Sequence, residues 1–217
     1  MSGDTVMRES THRVERAVAD LADGKVIVLA GCGSENPDAY LVVAGEKATT
    51  SALDFIIRHT SGFVCATVTD DVCVRTALSA MSGTGLTASR YDYAVTVDAA
   101  TGVSTGISAK DRARTLRQLA DPTSTPATFT RPGHVMPLRA HTDGTLDCRS
   151  RAQAVTDLLR AAGLQEVGAL AALVSLSDPT AIADSAESLM FAAAHQLHSV
   201  SVADVVTYRR SMVSTKP

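Results

Sequence analysis

The 217-residue chain contains no tryptophan, and aromatic residues make up only 4 % of it. A surface that stacks bases or sugar rings is therefore poorly supplied. Positive charge is not in surplus: the formal net charge is -3, the isoelectric point lies near 6.0, and Lys and Arg are scattered along the chain. Nucleic acid is thus excluded as the expected partner. No apolar run approaches the ~20 residues that a membrane-spanning helix needs. The opening stretch, Met1-Ser-Gly-Asp-Thr-Val-Met-Arg8, lacks the hydrophobic core of a signal peptide. A cytoplasmic protein without membrane contact is expected. Cys32, Cys65, Cys73 and Cys148 form no Cys-x-x-Cys pair and have no His at zinc-finger spacing, so they read as reduced thiols.

What is present is an ordinary globular composition, 45 % hydrophobic, in a length that suits one well-buried core. Val14, Ala17, Val18 and Leu21 fall on one helical face, which predicts a helix over 11–21 followed by the buried strand Lys25–Ala30. Gly31 to Asp38 is loop chemistry, and Ala39–Ala44 resumes a strand. Helical periodicity returns at Thr50–Thr60 and Asp70–Met81, with strands at Gly62–Thr67, Tyr93–Val97 and Gly168–Val174. Ser108-Ala-Lys-Asp111, Ser150-Arg-Ala-Gln153, Asp184-Ser-Ala-Glu187 and Ser201-Val-Ala-Asp204 each set a capping residue three positions ahead of a polar partner, before an amphipathic run. Hairpin-like strand pairs beside strand–helix pairs predict an α/β (α+β) fold, a mixed sheet with helices packed on both sides. The expected organisation is a single domain over 11–212, with flexible ends at 1–10 and 213–217.

Three stretches carry chemistry. Thr105-Gly-Ile-Ser-Ala-Lys-Asp-Arg112 places a glycine turn before a hydroxyl at a helix start, where free N–H groups and partial positive charge suit an anion. A simple capped helix is the alternative reading. Arg131-Pro-Gly-His134 reads as a tight turn presenting an imidazole beside a strand, for catalysis or for structure. Arg58-His-Thr-Ser-Gly62 followed by Cys65 closes a helix and opens a strand, and a cap plus a buried thiol accounts for it.

Taken together, Arg58-His-Thr-Ser-Gly-Phe-Val-Cys65, Thr105 to Arg112 and Arg131-Pro-Gly-His-Val-Met-Pro-Leu138 resemble, in order and interval, the 3,4-dihydroxy-2-butanone 4-phosphate synthases. The resemblance runs from about Arg13 to Arg209. It implies a homodimer that converts ribulose 5-phosphate into 3,4-dihydroxy-2-butanone 4-phosphate and formate with magnesium. The family's first site loop, Asp-Asp-Glu-Asp-Arg-Glu-Asn-Glu-Gly-Asp, is here Ala30-Gly-Cys-Gly-Ser-Glu-Asn-Pro-Asp-Ala39. Glu35 keeps the place of a metal ligand and Asn36 its register, while Asp38 is one residue out of register. The second element, Arg-Gly-Gly-His-Thr-Glu-Ala, is here Cys148-Arg-Ser-Arg-Ala-Gln-Ala154, with Arg151 at the histidine position, and the catalytic glutamate of the following strand falls at Ala172. Of the polar centre, Glu35, Cys65 and His134 remain.

These losses lead to three expectations. The first is a diverged lyase, isomerase or cyclase of specialised metabolism, with no metal cofactor, acting on a small anionic or carbonyl-bearing substrate. Glu35, His134, Cys32 and Cys65 would be its catalytic groups, Cys32 as a nucleophile if an arginine lowers its pKa. Ser34, Asn36, Asp38, Thr105, Ser108, Asp111, Arg131, Arg149 and Arg151 would bind the substrate, with Arg149 and Arg151 as an anion clamp at a helix start. The second is a non-catalytic binding or partner protein that retains the fold. The third is an authentic synthase that uses displaced residues such as Asp38 and Asp147.

Overall fold

The computed structural model describes residues 3–31, 38–81, 92–140, 144–146 and 150–214. Seven strands form one mixed sheet in the order β4-β5-β3-β6-β2-β1-β7. They are β1 (Ile27–Ala30), β2 (Tyr40–Ala44), β3 (Cys65–Val68), β4 (Val97–Ala99), β5 (Phe129–Arg139), β6 (Gly168–Ala172) and β7 (Ser199–Ser201). The pairs β3–β5 and β1–β7 are parallel, and the remaining four are antiparallel. β1, β2 and β3 are buried at every residue. That is why they read as unbroken apolar runs and not as alternating ones: both faces are covered.

Helices cover the two faces as expected. On one, Leu53 and Ile56 of α2 (Thr50–His59), Val72 of α3 (Asp70–Thr76), Leu116 and Leu119 of α4 (Ala109–Ala120) and Phe191 of α6 (Ser185–His195) pack over Leu41, Val43, Ala66 and Ala169. On the other, Val14, Ala17 and Leu21 of α1 (Gly3–Ala22), Val155 and Leu158 of α5 (Arg151–Ala161) and Val205 of α7 (Val202–Ser214) pack over Tyr40, Val42, Cys65 and Leu170. Each strand sends alternate side chains to the two layers, so a one-residue slip would exchange the layers.

Three differences from the sequence reading have physical causes. The first helix begins at Gly3, not near Thr11, and Ser10 and Val14 are buried where it crosses α7. α3 stops at Thr76 because Ala77 turns left-handed (φ 51°) and its N–H caps the carbonyls of Cys73 and Val74. Residues 93–96 form isolated bridges, Tyr93 to Leu138 and Ala94 to Ala80, and the regular strand starts only at Val97.

The capping signals translate into hydrogen bonds. Ser108 accepts from Asp111 N and Ser150 from Gln153 N, while Asp184 accepts from Ala186 N and Glu187 N. At Ser201 the box is reciprocal: Asp204 N donates to Ser201 Oγ at 3.1 Å, and Ser201 N donates to Asp204 Oδ2 at 3.0 Å. Asp204 also receives Arg13 Nη2 at 2.7 Å, tying the last helix to the first. Burial pushes the Asp204 carboxyl up, but hydrogen bonds from Arg13, Ser10 and Ser201 outweigh it and hold the group at about 2. A carboxyl depressed in the folded state stabilises above its unfolded pKa, and that contribution vanishes as pH falls through the folded value. Urea titrations should therefore show a loss on the order of 2 kcal/mol between about pH 4 and pH 2. Asp204→Asn should be less stable at pH 7 and flatter across that window; an equally steep acid limb in the variant would refute the assignment.

Candidate active site

Where β5 passes β4, the pairing breaks register: Val97 lies opposite Val135 but its neighbour Asp98 lies opposite Thr130, so residues 131–134 bulge out of β5. The bulge is the Arg131-Pro-Gly-His134 segment. What reads in sequence as a tight turn beside a strand is an interruption within an 11-residue strand. Gly133 permits it, since a Cβ there would fall 2.0 Å from the carbonyl carbon of Val97 and 2.3 Å from Asp98 N. Bulges re-aim side chains, and this one delivers His134 to Asp98.

His134 N donates to Asp98 Oδ1 at 2.9 Å, and Nδ1 lies 2.7 Å from Oδ2. A carboxylate oxygen accepts, so Nδ1 is the donor in this contact and Nε2 is the nitrogen left for another partner. The carboxylate is buried whereas the imidazole is 39 % exposed, so one end of the pair is fixed and the other can meet a substrate. Arg112, buried behind it, donates to the Gly62 carbonyl at 2.7 Å. Burial pulls the Arg112 guanidinium down and the charge of Asp98 acts against that.

The loop before α4 closes over this pair. Asp111 Oδ2 accepts from Ser104 N (3.2 Å), Ser104 Oγ (2.8 Å) and Gly106 N (3.2 Å). Hydrogen bonds from Ser104, then from Ser108 and Gly106, hold its carboxyl below the usual range. Gly106 has φ 88° and rests against the dyad: a Cβ there would sit 2.0 Å from Asp98 Oδ2 and 2.8 Å from His134 Nδ1. Asp111 and Ser108 are therefore engaged in shaping the loop and capping α4. Thr105 beside Gly106 is exposed, the hydroxyl here best placed for a ligand. Arg131 donates to the carbonyls of Pro126, Phe129 and Thr76. These bonds fasten the bulge to its surroundings.

A second polar centre lies around Cys65. A cavity of about 100 Å³ is lined by Tyr40, Cys65, Tyr93, Arg151 and Ala172 among others. Three positions that the sequence comparison treats separately, Cys65, Arg151 and Ala172, thus share one wall. Cys65 is 6 % exposed, and burial pushes its thiol up to about 11, with Arg151 acting in the opposite sense. It is a protonated thiol near neutrality, able to donate a hydrogen bond but not primed as a nucleophile. Arg151 lies 4.8 Å from the Tyr40 ring centroid and donates to Tyr93 Oη at 3.4 Å. Tyr40 Oη in turn meets Asp38 Oδ2 at 3.4 Å. Cys32, Ser34, Glu35, Asn36 and Arg149 lie outside the described residues.

Among the described residues no three His, Cys, Asp or Glu side chains gather at metal-binding range. Asp38, hydrogen-bonded by the cavity residue Tyr40, is a described carboxylate that could contribute to such a set. A larger cleft of about 440 Å³ lies between α3 and α5, lined by Asp70, Arg75, Arg160 and Glu166 among others. Arg160 is already bonded there to Glu166 and Asp157, so ion pairs account for that polarity. No described helix is long and apolar enough to cross a membrane.

Asp98, Tyr40 and Tyr93 escaped the sequence reading as site residues, and Arg112 entered it only as the end of the Thr105–Arg112 stretch. Asp98 left one signal: a carboxylate in the apolar strand Val97-Asp-Ala99 must be buried, and a buried charge needs a partner.

A mixed sheet that holds an imidazole against a buried carboxylate defines an acid–base site on an α+β scaffold. The chain belongs to the 3,4-dihydroxy-2-butanone 4-phosphate synthase family, whose profile matches residues 15–208. The riboflavin biosynthesis protein RibBA of Mycobacterium avium (strain 104) is 44 % identical over 197 residues, 91 % of this chain and 46 % of that protein. Its counterpart in Mycolicibacterium gilvum (strain PYR-GCK) is also 44 % identical over 197 residues, covering 91 % of this chain and 47 % of that one. The chain thus spans about half the length of these relatives. A 3,4-dihydroxy-2-butanone 4-phosphate synthase solved with two magnesium ions matches at TM-score 0.86 and 29 % identity, covering 94 % of this chain and 99 % of that one. The Candida albicans synthase matches at TM-score 0.82 and 31 % identity, covering 90 % and 96 %.

These findings correct two expectations. Identity of 44 % across nearly the whole chain to riboflavin-pathway proteins overturns the reading of a diverged enzyme of specialised metabolism and favours the authentic synthase. The metal-free expectation falls with it, because the solved relative holds magnesium. A sparse set of protein carboxylates does not exclude the ion. Magnesium dehydrates reluctantly and is commonly held by one or two carboxylates, with water and substrate oxygens completing the octahedron.

The packing of Gly106 yields a test. Gly106→Ala must adopt a strained φ and push a methyl between Asp98 and His134, at a cost of about 1–3 kcal/mol. The melting temperature should fall and the hydrogen-bonded Nδ1 proton of His134 should disappear from the NMR spectrum. Retention of both would show that the loop does not close on the dyad as described.

Proposed function

We propose that this chain is a 3,4-dihydroxy-2-butanone 4-phosphate synthase, a cytoplasmic enzyme that converts ribulose 5-phosphate into 3,4-dihydroxy-2-butanone 4-phosphate and formate. The observation that carries the reading is the Asp98–His134 pair, with Nδ1 and Oδ2 2.7 Å apart. The reaction begins by removing a proton next to a carbonyl, which needs a base of defined tautomer. Asp98 holds Nδ1 protonated, so Nε2 can take that proton, and the carboxylate then stabilises the imidazolium. When formate leaves, the same imidazolium can return a proton. The Cys65 thiol, kept protonated by burial, can act as a hydrogen-bond donor to a substrate oxygen. Thr105, exposed on the loop that Asp111 clasps, contributes a hydroxyl for substrate oxygens.

Magnesium, as in the solved relative, would supply charge neutralisation for the enediolate when bound. Asp38, fixed by Tyr40, and Glu35, which keeps its register in the resemblance, are the carboxylates we assign to hold it. Purified protein incubated with ribulose 5-phosphate and magnesium should release formate, and EDTA should abolish the release. His134→Ala should lower kcat by about 10²–10⁴-fold, and Asp98→Asn should cost a large part of that factor with little change in KM. Absence of formate from folded wild-type protein would sink the proposal.

The family resemblance also supports a homodimer. Light scattering should return twice the 22.6 kDa chain mass; a monomer at micromolar concentration would contradict it.

A further inference from the structure

We infer that Arg112 is a positioning residue that links the two polar centres: through the Gly62 carbonyl it sets the rim of the Cys65 cavity against the Asp98–His134 pair. The role rests on the proposed reaction only for the identity of the substrate, and the link can be read without turnover.

Arginine is almost never fully buried unless it is paired, and Arg112 is 6 % exposed. Burial pulls its guanidinium down, and the charge of Asp98 acts against that. Nη1 donates to the Gly62 carbonyl at 2.7 Å, although the two residues lie 50 positions apart in the chain. Nε is buried without a hydrogen-bond partner among the described residues, and a buried donor left unmade carries its full desolvation penalty. An apolar side chain of similar length would fill the same space more favourably. The arginine is therefore poor as packing, and its use lies in the two groups it acts on, one from each centre.

Each of those groups leads directly to a site side chain. Asp98 holds the His134 imidazole. Gly62 lies between Ser61 and Phe63, both exposed and both lining the cavity that contains Cys65. The flanking backbone is fastened to the sheet: Ser61 N donates to the Ala172 carbonyl at 2.9 Å, and Met136 N donates to the Val64 carbonyl at 3.1 Å. Gly62 itself, at φ 72°, is tied to α4 by Arg112. The neighbouring Asp111 clasps the loop that closes on the dyad. One turn of α4 thus holds the dyad loop with one residue and the cavity rim with the next. Losing Arg112 frees the rim while Asp111 keeps the loop. A misplacement of about 1 Å between groups that share a substrate costs on the order of 10² in rate, so a fixed rim has a direct use.

Arg112→Met keeps the length and removes the charge and the donors, and iodoacetamide labelling followed peptide by peptide reads the result. Cys65 is buried with its thiol pushed up to about 11, so the wild type should label slowly there. In the folded variant Cys65 should label about tenfold faster, because thiol reactivity follows access and thiolate content. Cys73, half-buried on α3, should keep its rate. Arg112→Lys, which keeps the charge and loses the fork, should label between the two and carries the comparison if the methionine variant does not fold. An unchanged Cys65 rate would overturn the role, as would Cys65 and Cys73 rising together, the sign of general loosening. In the formate assay Arg112→Met should raise KM for ribulose 5-phosphate as well as lower kcat, with Arg112→Lys restoring part of both. A fall in kcat alone, as for His134→Ala, would remove the link to the cavity. The expected labelling pattern without formate release by the wild type would leave the role standing and remove the proposed reaction.

Discussion

The site depends on one crowded crossing, where β5 bulges past β4 and delivers an imidazole to a buried carboxylate. Every neighbouring feature serves that contact. Gly133 lets the two backbones approach, Gly106 leaves space for the carboxylate and ring, and Asp111 ties down the loop that supplies Gly106. Buried Arg112 lies behind Asp98 and offsets its charge. Neither the strand pairing nor the loop alone would keep Asp98 in contact with His134. The pair exists because the sheet, the loop and α4 all converge on it.

This convergence explains how much was legible in the sequence. Strands buried on both faces announce themselves as apolar runs, as Lys25–Ala30 does for β1. The caps at Ser108, Ser150, Asp184 and Ser201 marked four helix starts, because capping is a local interaction between residues three apart. β7 left no signal: Ser199-Val-Ser201 is three residues long and is a strand only because β1 lies beside it. α3 looked longer than it is, since its stop is set by the left-handed turn at Ala77, a residue with no preference for that conformation.

For the site, His134 and Cys65 could be picked out because motifs carry them, whereas their partners could not. Asp98 lies 36 residues from His134, and nothing in sequence spacing links them. The cavity wall of Tyr40, Tyr93 and Arg151 is assembled from β2, the bridge segment and the start of α5, again beyond the reach of local pattern. A loop poor in carboxylates looks unable to hold magnesium, although water and substrate can fill most of the ion's shell.

The Arg13–Asp204 link joins residues 191 apart in the chain, and α1 lies directly against α7. In a growing polypeptide α1 would be ready well before the helix that this link joins to it. Its apolar stripe, Val14, Ala17 and Leu21, finds strand partners such as Tyr40 and Val42 early, but the contact with α7 must await residues up to 191 positions later. That layer is therefore sealed last, and until then it is the surface most exposed to chaperones or to wrong association.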